Sequence, residues 1–158
     1  MAYAAPYGLG NNKALADIQY QNQFDQPLNA HCHGADGMYK VQSVHDNHKE
    51  DRVWNWECRQ VLHHGYPKCY DTGYVNNFDQ PMFFKCNPNH YIGGVYSYHS
   101  NKHEDRRWKF NCCSAPHHIT TSCRITGYVN EFDHPMNFQA GPGEVITGVI
   151  SHHDNKKE

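Results

Sequence analysis

Phe24-Asp25-Gln26-Pro27 recurs 54 residues later as Phe78-Asp79-Gln80-Pro81 and, after the same interval, as Phe132-Asp133-His134-Pro135. Two further segments keep this period: Gly73-Tyr74-Val75-Asn76 returns at residues 127–130, and Glu50-Asp51-Arg52-x-Trp54 returns at residues 104–108. A fixed period of this length is the signature of a repeat architecture. We therefore predict an N-terminal arm, residues 1–17, and one domain, residues 18–158, whose three repeats span about residues 18–68, 69–122 and 123–158.

Each repeat contains short runs of β-branched and aromatic residues between turns such as Asn87-Pro88-Asn89 and Gly141-Pro142-Gly143, a pattern typical of strands. The composition agrees, because the chain is rich in Tyr, Asn, Gly and His and poor in the helix formers Leu and Ala. About four strands in each repeat, beginning with a Tyr-Val piece such as Tyr74-Val75, predict an all-β, pseudo-threefold domain. A β-prism of three four-stranded sheets fits best, and a β-trefoil is the alternative.

The third repeat is incomplete, because the sequence stops at Glu158, one residue before its own Asp-Arg-x-Trp would begin. Proteins normally cover a strand edge that has no partner. Three explanations remain open: the N-terminal arm, Met1 to Leu15, covers the edge; a neighbouring subunit covers it in a homo-oligomer; or the sequence is a truncated form of a longer chain.

Seven cysteines favour disulfides and an oxidising compartment. The interval from Cys32 to Cys58 equals that from Cys86 to Cys112, and the third repeat loses both positions together, with Ala140 at the first. This pattern predicts two equivalent bridges, each within one repeat, that staple the domain. Of the remaining three, Cys113 can pair with Cys69 or with Cys123, and one thiol is left over.

The motif Asp51-Arg52-x-Trp54, repeated as Asp105-Arg106-x-Trp108, is interpreted as structural. Alternate residues of a strand share one face, and this face also carries Trp56 and Cys58 or, in the second repeat, Phe110 and Cys112. Aromatic rings and a disulfide mark the core side, where the Arg can stack on Trp or pair with a carboxylate. The opposite face is interpreted as solvated surface; its residues are Val53, Asn55, Glu57, Arg107, Lys109 and Asn111.

The best candidate binding site is the loop before this strand, which occurs once in each repeat. Its groups provide both the donors and the acceptors that sugar hydroxyls require, and Tyr96 and Tyr98 could stack on a pyranose ring. An ordinary turn with an Asx cap is the alternative. Asp46 and Glu50 could bind calcium, although their spacing matches no EF-hand; no other metal or cofactor is predicted. The candidate ligand-binding residues are His45, Asp46, Asn47, Glu50, His99, Asn101, Glu104, His153, Asp154 and Asn155.

Several classes of protein are excluded by composition and motifs. A net charge of −2 offers no basic field for nucleic acid. No apolar run approaches the roughly 20 residues that cross a bilayer, and the start, Met1 to Pro6, has no secretory signal pattern. Catalytic motifs such as GxSxG and HExxH are absent from the sequence. We therefore predict a protein without enzymatic activity, nucleic-acid partner or transmembrane segment.

The runs Asp51-Arg52-x-Trp54-x-x-x-Cys58 and Asp105-Arg106-x-Trp108-x-x-x-Cys112-Cys113 resemble the dermatopontin family, and the similarity extends from about Ile18 to Glu158. The resemblance implies a secreted, extracellular protein without enzymatic activity. Vertebrate members of that family are matrix proteins that bind proteoglycans and support cell adhesion; invertebrate relatives include agglutinins, shell-matrix proteins and a cytotoxin.

From the repeated loops and this resemblance we expect a lectin-like adhesion or agglutination protein. Its partners would be cell-surface or matrix glycans, including proteoglycan or lipopolysaccharide. Three weak sites on one molecule bind a multivalent surface strongly, because the later contacts form at high effective concentration. The alternative is a self-assembling extracellular-matrix scaffold that binds proteins or proteoglycans.

Overall fold

The computed structural model describes residues 17–62, 65–115 and 122–157. Their regular structure consists of nine strands. No α-helix occurs among these residues, and so none that could span a membrane. The predicted all-β class is confirmed. The strands are β1 (Leu28–His31), β2 (Asp36–Asp46), β3 (Asp51–Gln60), β4 (Cys69–Asp71), β5 (Met82–Lys85), β6 (His90–Ser100), β7 (Asp105–Ser114), β8 (Met136–Gln139) and β9 (Gly148–Ser151).

Strands of different repeats pair with each other, so the repeats are interlocked. The sheets have the orders β1-β6-β7-β4, β3-β2-β8 and β5-β9. The strand after each Phe-Asp-x-Pro turn pairs outside its own repeat: β1 with β6 of the second, β5 with β9 of the third, and β8 with β2 of the first. This closed exchange is compatible with the predicted pseudo-threefold domain, although the sheets have four, three and two strands and not four each.

Two long antiparallel hairpins, β2–β3 and β6–β7, have the same geometry. Each contains an irregularity at equivalent positions, between Met38 and Lys40 and between Ile92 and Gly94. Each turn ends in a residue of positive φ, Glu50 at 44° or Glu104 at 51°. The sequence repeat is therefore also a repeat of backbone conformation.

The prediction of a Tyr-Val strand is wrong, because Tyr74 and Val75 do not belong to a strand. The segment nevertheless runs beside β7, since the Val75 amide donates to the Trp108 carbonyl over 2.9 Å. The predicted N-terminal arm falls almost wholly on residues 1–16, which lie outside the described residues.

The motif strands place their aromatic residues in the core, as predicted. In β7 the alternation is clean: Arg106, Trp108, Phe110 and Cys112 are buried, and the residues between them are half-buried. In β3 the prediction of a solvated outer face is wrong for Val53, which is only 6% exposed. The cause is the extended segment at Gln21 and Asn22, which hydrogen-bonds to the carbonyls on both sides of Val53.

Three disulfides staple the sheets. Cys32–Cys58 and Cys86–Cys112 confirm the two predicted bridges within repeats. The pairing that the sequence left open is Cys69–Cys113, a bridge between the neighbouring strands β4 and β7. Cys123 is the leftover thiol, and it is exposed.

The buried ring of Trp108 provides a test of this core, because its side chain is only 8% exposed and contacts Trp54 edge-on with ring centroids 4.9 Å apart. We predict that Trp108→Ala lowers the free energy of unfolding by about 3–5 kcal/mol, measured by urea denaturation. The control is Phe83→Ala, whose ring is 78% exposed and whose loss should cost less than about 0.5 kcal/mol. Equal costs for the two variants would refute the core assignment.

Candidate functional site

A buried ion pair joins the first repeat to the second. The Arg106 guanidinium donates from Nε and Nη2 to the two carboxylate oxygens of Asp51, at 2.7 Å each. Both residues are only 4% exposed. The remaining Arg106 donors bind the Ser97 hydroxyl at 3.1 Å and the Gln26 carbonyl at 3.0 Å. Of the two alternatives left open for this Arg, stacking on Trp or pairing with a carboxylate, the structure has the pairing, and the carboxylate belongs to the same motif in the other repeat.

The carboxylates of Asp51 and of its counterpart Asp105 also stabilise the Phe-Asp-x-Pro turns. Asp51 accepts a hydrogen bond from the Asp25 amide at 2.7 Å, and Asp105 accepts one from the Asp79 amide at 2.9 Å. Asp25 and Asp79 have φ of 62° and 60°, a left-handed conformation that is uncommon for residues other than Gly. The first residue of the Asp-Arg-x-Trp motif therefore stabilises the turn that starts the exchanged strand.

Histidines of the candidate loops point inward to these carboxylates. His99, whose side chain is 1% exposed, lies 3.3 Å from Asp51 and 3.9 Å from Asp25. His153, 9% exposed, stands in the same relation to Asp105 at 3.8 Å and Asp79 at 3.6 Å. The pKa of His45 is lowered, first by burial and then by the Arg52 charge. His99 and His153, both predicted ligand-binding residues, are thus placed in the interior network beneath the loops, and His45 is half-buried.

The outer ends of the loops are exposed. Asp46 caps the first loop by accepting hydrogen bonds from the amides of His48 and Lys49, and the His48 bond in particular lowers the pKa of the Asp46 carboxyl. Asp154 caps the third loop through the Lys156 amide. Asn47, Asn101, Glu104 and Asn155 are exposed, and Glu50 is half-buried. The loops therefore present their asparagines to solvent, while two of their aspartates stabilise the turns.

An aromatic and cationic patch lies on the outer face of the second repeat. The guanidinium of Arg107 and the ammonium of Lys109 stand 4.5 Å and 4.3 Å from the centre of the Tyr74 ring. Tyr98 contacts Tyr74 edge-on at 5.3 Å, and Phe78 stacks on His103 at 4.7 Å. We call Tyr74, Phe78, Tyr96, Tyr98, Arg107 and Lys109 the outer patch. Of these, Tyr96 and Tyr98 were predicted from sequence to stack on a sugar, whereas Arg107 and Lys109 were predicted to be solvated surface.

A cavity of about 610 Å³ opens beside the third repeat. Its lining includes Trp54, Trp56 and Trp108 together with residues 128–132 and 149–154. The indole N–H groups of Trp54 and Trp56 are buried without an acceptor among the described residues. The cavity lining therefore combines aromatic side chains with charged groups such as Asp105. In the described part of the chain, no group of three or more His, Cys, Asp or Glu side chains is placed to hold a metal ion.

Comparison with known protein families confirms the resemblance that the repeated Asp-Arg-x-Trp motifs indicated. The sequence model of the dermatopontin family matches residues 22–158. The chain belongs to the dermatopontin family. The matched region contains all nine strands and all three disulfides of this family member.

Three relatives of the dermatopontin family member are similar over most of its length. The hemagglutinin/amebocyte aggregation factor of Limulus polyphemus is 42% identical over 139 residues, which cover 87% of this chain and 80% of the relative. Dermatopontin of Biomphalaria glabrata is 36% identical, with coverage of 85% and 90%. Millepora cytotoxin-1 of Millepora dichotoma is 33% identical, with coverage of 94% and 67%. No solved structure matches the chain significantly.

Removal of one partner of the buried pair should be costly. Asp51→Asn keeps the shape of the side chain but leaves the Arg106 guanidinium buried without a carboxylate, which we predict to cost about 3–5 kcal/mol of stability. The control is Glu57→Gln, which weakens the Lys40–Glu57 pair, whose side chains are 13% and 39% exposed, and should cost about 1 kcal/mol. Urea denaturation at pH 7.5 measures both, and similar losses would argue against the special role of Asp51.

The lowered pKa of His45 makes stability depend on pH. The folded state disfavours the protonated imidazole, while the unfolded chain binds the proton near pH 6.5; His45 therefore reduces stability as pH falls below that value. Arg52, Glu50, Asp46 and Asp133 are the charged groups that act on this ring. We predict that His45→Gln makes the loss of stability between pH 7.5 and 5 shallower, whereas His48→Gln in the exposed turn does not. An unchanged slope in the His45 variant would reject this assignment.

Proposed function

We propose that this dermatopontin family member is a secreted, non-enzymatic adhesion or agglutination protein that binds anionic glycans through the outer patch. The names of its relatives support the general activity, since one is a hemagglutinin and aggregation factor and another is a dermatopontin. Three disulfides support an oxidising, extracellular location. The observation that carries the proposal is the pair of cations, Arg107 and Lys109, held over the Tyr74 ring.

The outer patch combines the two groups that an anionic sugar needs. Charged donors bind sulfate or carboxylate strongly, and a ring surface packs against the apolar face of a pyranose. The Arg107 side chain is already fixed, because its Nε donates to the Asn76 carbonyl at 2.9 Å. Little side-chain freedom is then lost when a ligand binds, and such preorganisation favours affinity.

The exposed asparagines of the three loops supply weaker contacts of repeated geometry. Asn47, Asn101 and Asn155 occupy equivalent positions in their repeats, and amide groups both donate to and accept from sugar hydroxyls. Several such contacts on one molecule allow it to bridge particles, because tethering raises the effective concentration of the second site. The buried histidines of the loops are assigned to the fold in this proposal.

The double variant Arg107→Gln, Lys109→Gln tests the outer patch. Each charged hydrogen bond contributes about 1.5–3 kcal/mol, so we predict at least a tenfold weaker affinity for heparin, and a weak response of the wild-type protein to desulfated heparin. The matched control is Lys68→Gln, Lys85→Gln, which removes the same charge from exposed positions elsewhere. Affinity is measured by titration calorimetry, with thermal melts to confirm folding.

Two results would contradict the proposal. Equal losses in the two double variants would show that heparin responds only to net charge. No binding to heparin or to an array of neutral and anionic glycans, with or without calcium, together with polymers that form as the protein concentration rises, would favour the alternative of a self-assembling matrix scaffold.

A further inference from the structure

The outer patch lies on one face of the four-stranded sheet, and that face continues beyond the patch onto β1. The sheet has the order β1-β6-β7-β4. Arg107 and Lys109 of β7 stand opposite Tyr98 and Tyr96 of β6. On the other side of β6, Asn29 of β1 stands opposite Tyr96. A row of side chains therefore crosses three strands, from Lys109 through Tyr96 to Asn29.

Asn29 and His31 lie on the same side of the sheet as the patch. Directly opposed residues of an antiparallel pair have their side chains on one face, and alternate residues of a strand share a face. In β1, Leu28 and Ala30 are buried, whereas Asn29 and His31 are exposed. The face that carries Tyr96 therefore gains an exposed amide and an exposed imidazole from β1.

The imidazole of His31 lies over a glycine of the neighbouring strand. His31 stands opposite Gly94 of β6, and Gly94 stands opposite Asn111 of β7. A β carbon on Gly94 would collide with the His31 ring and would meet the Asn111 β carbon at 3.0 Å. Because Gly94 has no side chain, the ring lies above the backbone of β6, in the row next to Tyr96.

A carboxylate limits the site on the side of β4. Asp71 of β4 stands opposite Asn111 and accepts a hydrogen bond from its Nδ2 at 2.8 Å. Asp71 is exposed, and like charges placed side by side oppose binding. An anionic chain that extends beyond the patch is therefore favoured toward β1 and disfavoured toward β4.

The distance across these residues exceeds the length of a single sugar. Two strand spacings separate β7 from β1, which is roughly 10 Å. Along the strand direction, Arg107 lies four residues from Asn111, the residue level with His31, which is roughly 14 Å. The diagonal from Arg107 to His31 is therefore roughly 17 Å. A ligand that contacts both ends is a chain of several sugars.

Disulfides hold both ends of this face in place. Cys32, the residue after His31, is bonded to Cys58. At the other end, Cys112 and Cys113 of β7 form the remaining two disulfides. The spacing between the two ends is thus fixed before a ligand binds, and such preorganisation favours affinity for a chain that matches it.

We propose, building on the glycan binding inferred above and resting on it, that the site extends from the outer patch across the sheet to Asn29 and His31. Its ligand is then a stretch of several sugars in a linear polysaccharide that carries many anionic groups, and not a single terminal sugar. Arg107 and Lys109 bind sulfate or carboxylate groups. The Tyr96 ring packs against a sugar in the middle of the stretch, and Asn29 and His31 donate hydrogen bonds to the next sugar.

The probes are a disaccharide and a hexasaccharide derived from heparin, each titrated into the full chain by calorimetry. We expect the hexasaccharide to bind at least about tenfold more tightly, because its further contacts form at high effective concentration. The double variant Asn29→Ala, His31→Ala should lower the hexasaccharide affinity roughly tenfold, since two hydrogen bonds to the ligand are lost. The disaccharide binds within the outer patch, so its affinity should not change.

The matched control is the double variant Asn137→Ala, Gln139→Ala. These residues occupy the equivalent positions of β8, two periods further along the chain, and they are exposed. β8 pairs with β2, in a different sheet from the outer patch. The control should leave both affinities unchanged, and thermal melts of the two double variants confirm that each is folded.

A gain of affinity provides a second test. Asn29→Lys places a cation on the path of the polysaccharide, and charged hydrogen bonds are stronger than neutral ones. We expect the hexasaccharide to bind roughly fivefold more tightly to this variant. Asn137→Lys adds the same charge at the equivalent position of β8 and should change the affinity less than about twofold. Equal gains in the two variants would mean that only net charge matters and would overturn the extended site.

The outcomes distinguish failure of the extended site from failure of the outer patch. If Arg107→Gln, Lys109→Gln weakens heparin binding while Asn29→Ala, His31→Ala binds the hexasaccharide like the wild-type protein, the patch stands and its extension to β1 is wrong. Equal affinities of the wild-type protein for the two oligosaccharides would also overturn the extension. If neither double variant weakens binding, the outer patch is not the glycan site, and the extension fails with it.

Discussion

The bidentate pair between Arg106 and Asp51 is the interaction on which the repeat arrangement depends. Burial of two charges is costly unless the geometry is good and the remaining donors are satisfied, and here every Arg106 donor group has an acceptor. The acceptors come from two repeats. A repeat folded alone would therefore bury an uncompensated charge, so the pair favours assembly of the repeats in one register over their separate folding.

Strand exchange reinforces the same dependence. β1 and β8 each add to a hairpin of another repeat, and β5 pairs with β9 of the third repeat. The turn before β1 is itself bonded to Asp51 through the Asp25 amide. Removal of one contact loosens both the turn and the ion pair. The domain is thus expected to unfold cooperatively, although its sequence repeats, because each repeat pairs a strand with another repeat.

Much of this arrangement could be predicted from sequence because it lies within one repeat. The interval from Cys32 to Cys58 predicted a bridge, and alternation along β7 predicted which side of Trp108 and Phe110 is buried. The partner of Arg106 could not be predicted, since alternation along a strand says nothing about which repeat supplies the carboxylate. For the same reason His99 was assigned to a surface loop, while the carboxylates that draw it inward lie 48 and 74 residues earlier in the chain.

The candidate sites separate into a constrained interior and a variable exterior. Arg52 and Arg106 occupy equivalent interior positions, whereas the outward positions next to them hold Val53 in one repeat and Arg107 in the other. The outer patch consequently occurs in the second repeat, where Arg107 and Lys109 meet Tyr74. Tyr74 and Phe78 of the patch have equivalents in all three repeats, whereas Tyr96, Tyr98, Arg107 and Lys109 differ from their counterparts in the first repeat. Periodicity alone therefore does not single out the patch.

The strand β9 of the third repeat is much shorter than its counterparts in the other two repeats. β2 and β6 have 11 residues each, whereas β9 has four, and Ala140 replaces the cysteine that ties the other repeats to their hairpins. A short strand without a disulfide is expected to open at a lower free energy than the disulfide-linked hairpins. The cavity is lined by residues of this strand, whereas the ion pair and the three disulfides lie in the other two repeats.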